Sequence, residues 1–402
     1  MYSFFTSALT MSLMLLPAGV VAGIPVKTVL FIIATLVTAE RAFHKKIIVP
    51  KIVFYLFIPF ISAFFIMTLT GLIYGNSYAL TEFKFLATAT ATTCIVSIFA
   101  RNNLYLFVRL ILHSTIIYAA FKLLLLLSTS LIGLSITEID IIYRQIFGEK
   151  FVYMPINDAL YRIQLPPDII YAVIPALYVM LCKTSRTDVN WKTLLLLFIS
   201  SSVITFSAYS RVVFFLYFIS SSIAFYLQYR SKKWIYIAVS SFIITILTLN
   251  LDLIVESNYL EERLSDRNNE ASDSVRKLQI SLLMDMWLEK PMTGHGLGAY
   301  IPNFVRNPAI PFSYEAQVIA LIMKGGLFFI FCFLISISYF VKNLLITSGI
   351  LATLLFSLLI AAGFTNPYLT STATTVIYAG FYILGSTRSQ KLIFHKQIKF
   401  QY

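Results

Sequence analysis

The run Thr193-LLLLFISSSVITFSAY-Ser210-Arg211-VVFFLYFISSSIAFYL-Gln228 carries a single charged side chain, Arg211. A helix that spans a bilayer needs about 20 mostly apolar residues, so this stretch reads as two spans placed back to back and turning at Ser210-Arg211. A barrel strand would alternate polarity at every second residue, and this run does not. The rest of the chain has the same character. Of its 402 residues 58% are hydrophobic and 12% charged, with a mean hydropathy of +0.82, where a soluble domain has about 45–50% and about 25%. These values exclude a disordered, collagenous or porin-like chain and predict an all-α polytopic membrane protein. Cys94, Cys182 and Cys332 lie in or at the ends of apolar runs, so they read as packing residues and not as a disulfide framework or a metal site.

Twelve spans are expected, at roughly 3–22, 28–39, 52–74, 85–100, 104–124, 169–182, 193–209, 212–228, 234–251, 316–340, 344–362 and 371–386. They divide the chain into N-terminal spans (1–132), a first outer loop (133–167), central spans with the Ser-Arg turn (168–251), a large outer loop (252–315), and C-terminal spans with a basic tail (316–402). The start, Met1-Tyr-Ser-Phe-Phe, lacks the basic segment of a cleavable signal peptide.

Lys and Arg retained in short loops set orientation. With the N-terminus inside, the cytoplasmic segments hold 16 Lys and Arg against two acids, Glu40 and Asp188. The net charge of +13 is therefore a topology signal, and nucleic-acid binding is not needed to explain it. Both termini are predicted to be cytoplasmic. Only the two outer loops are long, so soluble-phase chemistry has to face outward. The two halves share no repeat, which weakens a transporter built from repeats.

Five features are candidates for chemistry. Arg211, in the tight turn Ser207-Ala-Tyr-Ser-Arg211, is either an interfacial arginine snorkelling to headgroups or an anion clamp, whose planar fork suits phosphate oxygens. In the large loop an amphipathic segment, Ser274 to Lys290, ends at Pro291. At 100° per residue Arg276 falls inside its apolar arc, with Ile280, Leu283 and Trp287, and there it needs a partner or a ligand. Asp273 or another nearby acid is the simple choice of partner. Next comes Pro291-Met-Thr-Gly294-His295-Gly296-Leu297-Gly298. Its glycines allow either close approach to a ligand or tight turns, and with no strand before them a dinucleotide site is excluded. His295, the outer face's only histidine, is either a general base or a residue oriented by the loop backbone; no neighbouring His or Cys supports a metal site. Glu315 heads the apolar helix that follows, where the macrodipole alone favours an acid. Lys324 lies nine residues further on, as an intramembrane partner or relay for it.

In this order the residues resemble the O-antigen ligase and O-antigen polymerase (Wzy-type) superfamily of bacterial surface-polysaccharide enzymes. The resemblance rests on Ser210-Arg211, on Arg276 followed by Trp287, and on the Pro291 to Gly298 turn. It covers about residues 200–330. Eleven residues before Gly326, where ligases carry a reactive His, this chain has Glu315, which argues against a lipopolysaccharide-core ligase and for a repeat-unit polymerase.

The resemblance implies a GT-C-like fold and a metal-independent glycosyltransferase with no cofactor, multi-pass in the bacterial inner membrane. Its partners would be membrane lipids, an undecaprenyl-diphosphate-linked oligosaccharide and a chain-length regulator protein, with no nucleic acid. Arg211 and Arg276 would bind the diphosphate, Glu315 or His295 would take the acceptor proton, Gly294, Gly296 and Gly298 would form the substrate loop, and Lys324 a relay. Tyr153, Tyr161, Tyr259, Tyr300 and Tyr314 offer surfaces to sugars, or are ordinary interfacial tyrosines. The product would be O-antigen or capsular polysaccharide. A ligase acting on lipid A-core is the alternative within the family, and a repeat-unit flippase the alternative of another class.

Overall fold

The computed structural model describes residues 1–17, 19–47, 49, 51–131, 135–148, 152–155, 161–208, 210–229, 266–305, 307–308, 310–364 and 367–386. The span expected at 234–251, Tyr259 and the basic tail lie outside these residues. Among the described residues, six helices are long and apolar enough to cross a membrane: Ala79–Asn102, Leu104–Ser128, Asp168–Ser185, Trp191–Ala208, Arg211–Gln228 and Gln317–Ser348. Tyr2–Leu15, Phe57–Ile73 and Ile350–Ala362 are shorter apolar helices. The chain contributes residues 1–41 and 103–272 to one compact unit, and 42–102 and 273–402 to a second.

The first unit contains α1 (Tyr2–Leu15), most of α2 (Val26–Phe43), α5 (Leu104–Leu131), α6 (Ile136–Phe147), α7 (Asp168–Ser185), α8 (Trp191–Ala208) and α9 (Arg211–Gln228). Helix α7 is its axis, packed against α5, α8 and α9 and buried continuously from Asp168 to Cys182. A helix apolar all round belongs in such a position. Pro175 lies inside it and supplies no N–H to the helical ladder. One turn of repair comes from α9: the Ser220 hydroxyl accepts from Ala176 N–H and donates to the Val173 carbonyl, both at 3.0 Å.

The segment expected as a loop at 133–167 contains regular structure that the all-helical expectation omits. Ser135 opens α6 with a capping box, its hydroxyl accepting from Glu138 N–H while the Glu138 carboxylate accepts from Ser135 N–H. Those bonds hold the Glu138 carboxyl below its ordinary range. The signature Ser-x-x-Glu was present in the sequence. After α6 a hairpin forms, with β1 (Val152–Pro155) antiparallel to β2 (Tyr161–Gln164). Lys122 of α5 anchors it, donating to the Ile163 carbonyl and to Asp168 Oδ2, the latter at 3.0 Å. Asp168 also accepts from Tyr118 and from Leu165 N–H, each at 2.9 Å. Both charges are buried, and this saturation is what makes a buried pair tolerable.

The second unit contains α3 (Lys51–Ile73), α4 (Ala79–Asn102), most of α10 (Asp266–Glu289), α11 (Gln317–Ser348), α12 (Ile350–Ala362) and α13 (Thr375–Ser386). Helix α11 packs on α3, α12 and α13, and α4 on α3 and α13. The spans expected at 316–340 and 344–362 are divided elsewhere: α11 runs on to Ser348, and the chain turns at Gly349. Gly326 interrupts α11 with φ 58° and ψ −156°, a backbone region open essentially to glycine alone.

Candidate functional site

The break at Gly326 explains the glycine-rich loop. A helix interrupted between apolar neighbours leaves carbonyls and N–H groups that must be paired, and the loop pairs them. His295 N–H donates to the Met323 carbonyl at 3.0 Å, Gly296 N–H to the Lys324 carbonyl at 2.8 Å, and Leu327 N–H to the Pro291 carbonyl at 2.8 Å. Leu297 N–H donates to the Met67 carbonyl of α3 at 2.8 Å. The Asn76 amide holds the other side, donating to the His295 and Leu297 carbonyls at 2.8 and 2.9 Å. Leu297 itself is fully buried among Ala63, Phe64, Met67 and Phe329. This part of the glycine-rich loop therefore belongs to the helix core.

Gly294, Gly296 and Gly298 have φ between 67° and 78°. Each faces protein backbone. A Cβ at Gly296 would meet Gly71 N at 2.1 Å, and one at Gly294 would meet the Lys324 carbonyl at 2.4 Å. Gly294 packs on α11, Gly296 on α3 and Gly298 on the start of α4, contacts of the kind that tight turns make.

Arg276 and Glu315 come together. Arg276 Nε donates to Glu315 Oε2 at 2.9 Å, and the two side chains are 29% and 27% exposed. Three residues along the same helix, the buried Gln279 accepts from Ala316 N–H at 2.9 Å, so α10 is latched by two side chains to the chain entering α11. A carbonyl oxygen must face that N–H, which fixes the amide orientation and leaves Gln279 Nε2 with no hydrogen-bond partner among the described residues. Glu315 precedes α11 by two residues, and its own carbonyl accepts from Gln317 N–H. The apolar arc read around Arg276 is present: Leu283 is buried, with Ile280 and Trp287 packed on the same cluster. Nearby, burial pushes the Tyr314 hydroxyl up to about 12, and that hydroxyl accepts from Ile301 N–H at 2.6 Å.

The His295 ring is held by helix α10. Its Nε2 lies 2.6 Å from the Met286 carbonyl; a carbonyl only accepts, so this nitrogen carries the proton, and Nδ1 alone is left to act as a base. The ring is 13% exposed.

Lys324 requires a correction. Read as partner or relay to Glu315, it instead donates to Glu82 Oε1 of α4 at 2.6 Å and to the Phe312 carbonyl at 2.8 Å. Nine residues of helix amount to roughly 14 Å of rise, which a lysine side chain does not cover, so an acid on a neighbouring helix takes the place. Glu82 Oε2 accepts from Gly298 N–H at 2.7 Å, which ties the glycine loop to the same pair. Glu82 escaped the sequence reading because it falls between the expected spans 52–74 and 85–100 and has no motif around it.

Arg211 belongs to the first unit, where it is exposed and opens α9 behind Ser210. In that unit Arg162 of the hairpin donates to the Ala208 carbonyl at 3.0 Å, satisfying the C-terminal end of α8. Among the described residues, no group of three His, Cys, Asp or Glu side chains is placed to hold a metal ion. Comparison of the chain with protein-family models, with curated proteins and with solved structures finds no match.

Proposed function

We propose that this protein is a polysaccharide polymerase, a GT-C-like membrane glycosyltransferase of about twelve spans. In this reading it joins polyprenyl-diphosphate-linked oligosaccharides at the outer face of a bacterial inner membrane, with both termini cytoplasmic. The observation that carries the reading is the Arg276–Glu315 contact at 2.9 Å: a guanidinium suited to a diphosphate beside a carboxylate suited to a proton, both partly open to solvent. The acceptor hydroxyl oxygen bonds to the anomeric carbon as that carbon's bond to the diphosphate breaks. The electron pair leaves with the diphosphate, whose charge Arg276 stabilises. The hydroxyl proton passes to Glu315. Direct displacement inverts the anomeric centre. His295, whose Nε2 donates to the Met286 carbonyl, keeps Nδ1 as an acceptor and is the rival base to Glu315.

Deleting the gene and resolving the surface glycan on a gel tests this reading. A single repeat on its anchor is the result expected of a polymerase. Loss of all attached glycan points instead to a ligase or flippase, and an unchanged ladder overturns the proposal.

A further inference from the structure

Two cavities in the second unit share four lining residues. One, of 180 Å³, is lined almost wholly by apolar side chains, among them Phe57, Phe60, Phe333 and Phe340. The other, of 280 Å³, is lined by the Glu82–Lys324 pair, Gln317 and Thr372, with the aromatic rings of Phe85 and Phe312. Leu86, Leu321, Thr370 and Ser371 line both, so the apolar space adjoins the polar one.

We infer that the adjoining cavities bind a single-chain amphiphile with an uncharged, hydroxyl-rich head, a sugar ring being the chemistry that fits. The apolar cavity accepts the hydrocarbon chain. The polar cavity selects the head by charge and by hydrogen bonding. Its two ionised groups neutralise each other at 2.6 Å. An anionic head would have to displace Glu82 from Lys324 and lie against the freed carboxylate, and a cationic head would meet Lys324. Such juxtapositions are heavily penalised at buried sites. A neutral hydroxylated head meets no such penalty. Lys324 uses two of its three donors on Glu82 and Phe312, Gln317 places one amide donor on Thr370, and the Thr370, Ser371 and Thr372 hydroxyls both donate and accept. The rings of Phe85 and Phe312 present flat apolar surfaces of the kind that sugar C–H faces cover. This inference is independent of the polymerase reading, whose Arg276 and Glu315 line neither cavity.

The test uses the full chain in phosphatidylcholine nanodiscs with two photoactivatable probes of equal chain length, one ending in glucose and one in a carboxylate. Cross-linked peptides are mapped by mass spectrometry. We expect the glucoside to label the Leu86–Thr93 and Thr370–Thr375 segments, and excess unlabelled alkyl glucoside to remove most of that labelling. The carboxylate probe is expected to label them no more than it labels the outward-facing Phe331 and Leu334. Ala89→Trp, which fills the apolar cavity, is expected to remove the specific labelling. Thr370→Val, close in shape and lacking the hydroxyl, should weaken the glucoside alone, so the result does not depend on one variant folding. Equal labelling by both probes, or glucoside labelling that unlabelled glucoside does not displace, overturns the inference.

Discussion

Glu82 and Lys324, 242 residues apart, form a buried ion pair at 2.6 Å, and the same carboxylate receives the N–H of Gly298 at 2.7 Å. One acid thus joins α4, the break in α11 and the glycine loop. Removing a single partner of a buried pair strands the other charge, at a cost of about 3–5 kcal/mol. We expect Glu82→Ala to lower the melting temperature and the membrane level of the protein, and Glu82→Gln combined with Lys324→Met to be markedly milder. A Glu82→Ala protein that melts like the wild type contradicts the role assigned to the pair.

Glycine substitutions separate strain from collision. Gly349 has φ 83° with open space around its Cβ position, whereas Gly296 has φ 78° and Gly71 backbone in the way. We expect Gly349→Ala to cost about 1–3 kcal/mol, the backbone strain alone, and Gly296→Ala to cost clearly more. Melting curves of the two purified variants decide it, and equal losses would mean that the loop yields easily.

The Arg276–Glu315 pair is best probed by activity. Glu315→Gln keeps the size and removes the proton acceptor, so polymer formation should fall by roughly 10²–10⁴-fold, with Glu315→His restoring part of it. His295→Asn should be much milder. Arg276→Ala should cost roughly 10²–10³-fold, and Arg276→Lys should rescue poorly, since the charge is kept and the fork is lost. Normal polymer from Glu315→Gln would reduce that carboxylate to a structural partner of Arg276.

Orientation can be checked independently of activity. Cysteines replacing the exposed Glu138 and Asn307 should react with a membrane-impermeant thiol reagent in cells with a permeabilised outer envelope, and one replacing the exposed Asn190 should not. The reverse pattern would invert the topology. Cys182 and Cys332 are buried and free, and Cys94 is free and partly buried, so the assay is run on a Cys94→Ser background.

Much of the architecture was legible in the residues themselves. Uninterrupted apolar length defines a membrane helix locally, which is why α8 and α9 appear where Thr193 to Gln228 placed them. Arg276 could be recognised as a charge needing a partner because helical periodicity is also local. The partner itself was not legible. Glu315, 39 residues on, receives Arg276, while the adjacent Asp273 was the simpler choice on spacing; Lys324 goes to Glu82, which lies in another helix. Only the tertiary structure decided this, because a buried charge takes whichever acid packing brings within hydrogen-bond reach, and sequence separation does not measure that distance. The glycines follow the same rule: their composition announces backbone freedom, but the broken α11 and the nearness of Gly71 determine that the freedom serves to pair carbonyls and to let backbones touch.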